Sequence, residues 1–193
     1  TSFAGELINK GTKNRTKAQI DESIDFIGAD LSTSASGIFA SSLKKHGDKL
    51  LEIMTDVLYN PTFPKEEFEK VRKRTASNLA SSKTNPEAIA SNIRSIVNFG
   101  SNHPYGEVQT DETIKNITVD DCVKYYNTYF KPNNAYLVIV GDITPEEAKA
   151  QANKYFSKWE KGTIPSFNYN TPTPVKGAQV RFGNKDGAVQ SVI

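Results

Sequence analysis

Hydrophobic positions recur at helical spacing along most of this chain and alternate or run together in only a few places. The opening segment, Ser2 to Asn9, is mostly apolar and predicts a short helix ended by Gly11. Thr16 with Gln19 forms a capping-box pattern, and Ile20, Ile24 and Ile27 follow on one face before Gly28 closes the element. Two strands are predicted next, Ala29 to Ser34 and Ile38 to Lys44, joined at Ser36-Gly37 as a hairpin. Leu50, Leu51, Met54, Val57 and Leu58 make the clearest apolar stripe, and Asn60-Pro61 stops that helix. A long charged helix runs from Pro64 to about Ser82, with Phe68, Val71, Thr75 and Leu79 inward.

Asn85-Pro86 opens a helix expected to bury Ile89, Ile93, Ile96 and Val97, and residues 100–106 read as a loop. Thr118 caps a helix with Cys122, Val123, Tyr126 and Phe130 inward. After the turn Pro132-Asn133-Asn134, the run 135–141 is continuously apolar, as for a strand covered on both faces. Thr144-Pro145-Glu146-Glu147 is a helix start, with an N-cap Thr, Pro in the first position and acids in the first turn; Ala148, Ala152, Tyr155 and Phe156 face inward. The order of these elements predicts an α+β two-layer sandwich, a mainly antiparallel sheet packed on a block of helices. Residues 1–161 form that domain. The proline-bearing, aperiodic stretch 162–177 reads as a linker, and 178–182 and 188–193 as strands of a following domain or strands that fill a gap in this one.

Composition narrows the function classes. The 24 basic and 22 acidic residues are interspersed, for a net charge of +2. A concentrated basic face for nucleic acid or an anionic membrane is therefore not expected. No apolar run approaches the roughly 20 residues of a bilayer span. The single cysteine, Cys122, rules out an internal disulfide.

The opening residues also carry a pattern. In Ser2-Phe3-Ala4-Gly5-Glu6-Leu7-Ile8-Asn9-Lys10-Gly11-Thr12 the chain resembles the insulinase/pitrilysin family of zinc metallopeptidases, which includes the mitochondrial processing peptidases. Further matching stretches follow in order over roughly residues 2 to 160. They include Ile24-Asp25-Phe26-Ile27-Gly28-Ala29, Leu58-Tyr59-Asn60-Pro61-Thr62-Phe63, His103-Pro104-Tyr105-Gly106 and Val138-Ile139-Val140-Gly141-Asp142. Catalytic members carry H-x-x-E-H shortly before the Lys-Gly-Thr, two His on one helix face binding zinc and the Glu polarising water. Those five positions here are Ser2, Phe3, Ala4, Gly5 and Glu6, so neither His nor the catalytic Glu is present. The third ligand position of the family falls at Asn78, with Ser77 beside it, and Asn brings no charge to a metal ion. The Asn-Ala of the family's edge strand is replaced by Ser32-Thr33.

The resemblance thus implies a half-domain of metallopeptidase type without catalytic or metal-ligating residues and without a cofactor of its own. Zinc is expected only in an active peptidase domain or subunit of the same family that pairs with it. Leu31, Ser32, Thr33 and Ser34 are the residues expected to hold an extended peptide substrate by strand addition. The chain opens inside the motif and is read as a piece of a longer protein, lacking strands that the family places earlier. Two other readings stay open: an active zinc endopeptidase module whose ligands lie elsewhere, and an α+β binding module unrelated to proteolysis. Among the remaining candidates, His46 and His103 read as a helix start and a surface loop, Glu6 as a solvated carboxylate, and Cys122 as a small core residue. Lys65 to Arg74 reads as a solvated helix face, and Ser32 to Ser36, with no nucleophile setting around them, as an exposed polar strand.

Overall fold

The computed structural model describes residues 2–169 together with 171, 177, 178, 180, 181 and 183. They group into two compact units, Thr1–Val71 with Thr118–Pro165, and Arg72–Ile117 with Ser166–Ile193. The elements are α1 (Ser2–Leu7), α2 (Lys17–Phe26), β1 (Asp30–Ser34), β2 (Gly37–Ser41), α3 (Gly47–Tyr59), α4 (Lys65–Ser82), α5 (Pro86–Phe99), α6 (Asp111–Asn116), α7 (Val119–Tyr129) and α8 (Pro145–Phe156). The fold is α+β, with the antiparallel hairpin β1–β2 as its sheet among the described residues.

Local chemistry sets most boundaries in the first unit. Thr16 accepts from the Gln19 backbone N–H and Gln19 reaches back to Thr16, a complete capping box for α2. Thr118 with Asp121 and Thr144 with Glu147 repeat the device at α7 and α8. The strands pair Leu31 with Ala40, Ser32 with Phe39 and Thr33 with Ile38, closed by the two-residue turn Ala35-Ser36. The core is drawn from several elements: Phe3, Leu7 and Ile8 from the start of the chain, Ile53 and Val57 from α3, Phe68 from α4. Each of these is at most 2% exposed. Tyrosines tie the helices to one another. Tyr126 donates to the Leu58 carbonyl, and Tyr59 to the Tyr155 carbonyl at 2.9 Å. Burial pushes the Tyr126 phenol up to about 12, so it remains a donor at any ordinary pH.

In the second unit Leu79 and Ile114 are buried. The Arg72 guanidinium donates to the Ile117 carbonyl at 2.7 Å, and Lys83 pairs with Asp111. Helix α6 is absent from the sequence reading, although its start signal is present: Thr110 and Thr113 form another capping box, with Asp111 and Glu112 in the first turn. At six residues it is too short for hydrophobic periodicity to reveal it.

Two expectations are corrected. The run 135–141 is not a buried strand. It has no ladder partner among the described residues, and Tyr136, Val138 and Val140 are 99%, 77% and 91% exposed. An apolar strand is buried by neighbours on either side, and the described residues supply none here. The α5 stripe is likewise only partly covered, with no residue of the helix fully buried and Ile96 42% exposed. What lies against it is Gly183, where a Cβ would come within 2.6 Å of Ile93 and 2.9 Å of Ile89. Of the expected strand 178–182, Ala178, Val180 and Arg181 are described and carry no strand assignment, and residues 179 and 182 lie outside the described residues. The other expected strand, 188–193, and residues 172–176 of the expected linker lie outside the described residues.

Candidate functional site

The motif positions sit on α1, and their surroundings divide them sharply. Phe3, Ala4 and Leu7 are buried, and the Phe3 ring meets Phe68 with centroids 5.7 Å apart. Ser2 is exposed. Glu6 is half-buried. Gly5 is buried against the tip of the hairpin. A Cβ at position 5 would lie 2.1 Å from the Ala35 backbone N and 2.2 Å from the Ser34 carbonyl carbon.

The Lys-Gly-Thr that follows is held by a network that the sequence reading missed. Asp56 of α3 is only 7% exposed. Its carboxylate accepts from Thr12 Oγ1 at 2.7 Å, Asn14 Nδ2 at 2.5 Å, Arg15 at 2.6 Å and Asn60 Nδ2 at 3.0 Å. Thr12 Oγ1 in turn accepts from the backbone N–H groups of Asn14 and Arg15 at 3.1 and 2.9 Å. Gly11 adopts φ +150° and sits within 3.2 Å of Thr62 Oγ1 at its missing Cβ, so this corner favours glycine. Burial pushes the Asp56 carboxyl up, but the hydrogen bonds from Thr12, Asn14, Asn60 and Arg15 outweigh it and hold its pKa below the usual carboxylate range. The available signal was an Asp on the inward face of α3, between Ile53 and Val57.

The hairpin supplies the other candidate surface. A shallow groove of about 220 Å³ is lined by Ser32, Thr33, Ser34, Ser36, Gly37, Ile38 and Phe39. Ser32 and Ser34 are exposed, whereas Leu31 and Thr33 are half-buried and the Thr33 hydroxyl has no hydrogen-bond partner among the described residues. Helix α1 packs beside β1, and no strand among the described residues occupies the outer edge of β1. Antiparallel pairs alternate between those that exchange backbone bonds and those that do not. A two-residue turn makes the closing pair Ser34/Gly37 of the first kind and Ser32/Phe39 the next, which leaves the backbone groups of Leu31 and Thr33 facing the open edge.

Asn78 and Ser77 are exposed on the part of α4 that belongs to the second unit. A zinc ion of the kind the family uses does not fit the residues present. Position 5 has no side chain and no room for one, and position 2 offers a hydroxyl where an imidazole would bind. Among the described residues no three of His, Cys, Asp and Glu converge as a metal site. The histidines take other places: His103 Nδ1 accepts from the Tyr105 backbone N–H at 3.1 Å and its ring stacks on Phe99, while His46 precedes α3 without capping it. Cys122 is buried, and burial pushes its thiol up, away from nucleophilic use.

The family model described as "Insulinase (Peptidase family M16)" matches residues 1–103, and the one described as "Peptidase M16 inactive domain" matches residues 116–193. An uncharacterized zinc protease of Rickettsia bellii is 27% identical over 95% of this chain and 45% of its own length. The beta subunit of the bovine mitochondrial-processing peptidase is 24% identical over 93% of this chain and 38% of its own. The chain thus spans less than half the length of these relatives. Among solved structures, a peptidase M16 inactive domain from Pseudomonas fluorescens superposes with a TM-score of 0.77 at 20% identity, covering 89% of this chain and 43% of that one. The first half of the periplasmic protease PqqL from Escherichia coli gives 0.68 at 21% identity, over 90% of this chain and 40% of that one. These two likenesses concern the fold.

Proposed function

The chain belongs to the insulinase family, peptidase family M16, and from that premise we propose that it is a catalytically inactive, peptidase-like domain that pairs with an active domain or subunit of the same family. In the assembled protein it walls one side of the substrate chamber and helps hold an extended peptide. The observation that carries this reading is a strand edge, open among the described residues, beside a motif helix that lacks both His and the catalytic Glu: β1 lies against α1, whose positions 2, 5 and 6 are Ser, Gly and Glu. Strand addition draws affinity from main-chain hydrogen bonds and needs no metal, so binding can persist where catalysis cannot. The match of 116–193 to the inactive-domain model, and the likeness to one half of a larger protease, support the pairing. No helix among the described residues is long and apolar enough to cross a membrane.

The purified chain is expected to hold no stoichiometric zinc after dialysis. Elemental analysis that returns about one tightly held ion per chain would overturn the reading. The edge is tested by proline substitution. Thr33→Pro removes an outward-facing donor while sparing the ladder to β2, so affinity for a fluorescent, unstructured decapeptide in the assembled complex should fall about fivefold to tenfold. The zinc content of that complex should stay unchanged. Ser32→Pro instead removes a bond within the hairpin and should lower the melting temperature. Equal peptide affinity in Thr33→Pro and the parent would show that this edge is not a substrate wall.

A further inference from the structure

We propose that the turn Ser34–Ser36 is a plug seated on the motif helix, so that the family's catalytic position is closed by backbone as well as emptied of its side chain. Gly5 is buried in α1, and a Cβ there would lie 2.1 Å from Ala35 N, 2.2 Å from Ser34 C and 2.8 Å from Ser34 Cα. All three are main-chain atoms, which no rotamer change can move aside. The turn is held from a second direction by α7, where the Tyr125 hydroxyl donates to the Ala35 carbonyl at 3.0 Å. Tyr125 packs against Tyr129 with ring centroids 4.9 Å apart, which fixes the direction of that hydroxyl. The turn is also tied internally: Ser34 Oγ accepts from the Ser36 backbone N–H and donates to the Gly37 carbonyl, each at 3.3 Å.

The consequence reaches the peptide edge. The turn seated on Gly5 is continuous with β1 and contributes Ser34 and Ser36 to the groove on the hairpin. Gly5 is therefore a positioning residue for that edge. In this chain a larger side chain at position 5 and the present hairpin are mutually exclusive, so returning a Glu to this position displaces the strand that lines the groove. The seat is a property of the isolated domain and stands apart from the partner proposed above.

The sign of one substitution tests it. Gly→Ala inside a helix normally stabilises, because Ala restricts the unfolded chain and favours the helical backbone. At position 5 we expect the reverse, a fall in melting temperature of about 5 °C or more in the purified chain. Tyr125→Phe releases the latch, and Gly5→Ala should cost distinctly less in that background, a coupling that independent sites do not show. Inserting two glycines after Ala35 lengthens the hairpin and should abolish the cost. These two backgrounds remain readable if Gly5→Ala alone fails to fold. A melting temperature that is unchanged or raised by Gly5→Ala overturns the proposal. So does a loss that is additive with Tyr125→Phe and unrelieved by the longer hairpin.

Discussion

Replacing Asp56 with Ala should destabilise the fold by about 3–4 kcal/mol, the scale for breaking a buried, charge-assisted network by removing one partner. For a chain of this size that corresponds to a fall in melting temperature of roughly 6–16 °C. Four donors converge on this carboxylate, from Thr12, Asn14, Arg15 and Asn60. Ala would leave the Thr12 hydroxyl, 8% exposed with its residue, with only the long bond to the Arg15 carbonyl at 3.4 Å. Arg15 would keep only Glu52, a 2.7 Å pair whose acid is half-exposed and therefore worth little. Asp56→Asn should cost less, since it preserves the shape and part of the accepting capacity. The two variants also differ from the parent in acid. The folded-state pKa of Asp56 is depressed, so its contribution is complete above the unfolded value of about 3.9 and is lost as pH falls through the folded one. Urea titrations in steps below about pH 4 should show the parent losing its advantage over Asp56→Asn. An advantage that persists undiminished to the lowest pH would mean that the charge is not what holds the corner.

What the sequence made legible was whatever is written locally. The caps at Thr16, Asn85, Thr118 and Thr144 depend on residues within three positions of one another, and each appears where the pattern placed it. The Asp56 network could not be seen that way. Its donors at 12, 14 and 15 lie 41 to 44 residues away, and a pattern of apolar positions assigns an Asp to solvent by default. Gly5 misled differently: a glycine in a catalytic position reads as loss, and only coordinates show that the missing Cβ is the condition for a helix–turn contact. The run 135–141 exposes the limit from the other side. Its composition does call for cover on both faces, but cover is supplied by neighbours, and none among the described residues provides it.

The motif helix therefore has two halves with different fates, and mutation should separate them. Ser2→Ala should change stability by no more than about 0.5 kcal/mol, as for an exposed position with no structural duty. Phe3→Ala, one residue further on, should cost about 3–5 kcal/mol. Phe3 is 2% exposed and packs on Phe68, itself 2% exposed, with the two rings tilted at 50°. That pairing contributes beyond the area it buries. Helix α1 has only six residues, far below the length that holds together alone in water, so it exists because of this packing. Losing the Phe3 anchor should loosen α1 as a unit and with it the seat of the hairpin turn on Gly5. Amide hydrogen exchange should then rise together at 3–8 and at 34–36 in the Phe3→Ala chain, while α8 stays protected. If exchange rises at 3–8 alone, the turn is held by Tyr125 without help from the helix. If urea unfolding shows a cost below about 1 kcal/mol, the motif helix is not part of the core, and its apolar positions have no more structural meaning than the serine beside them.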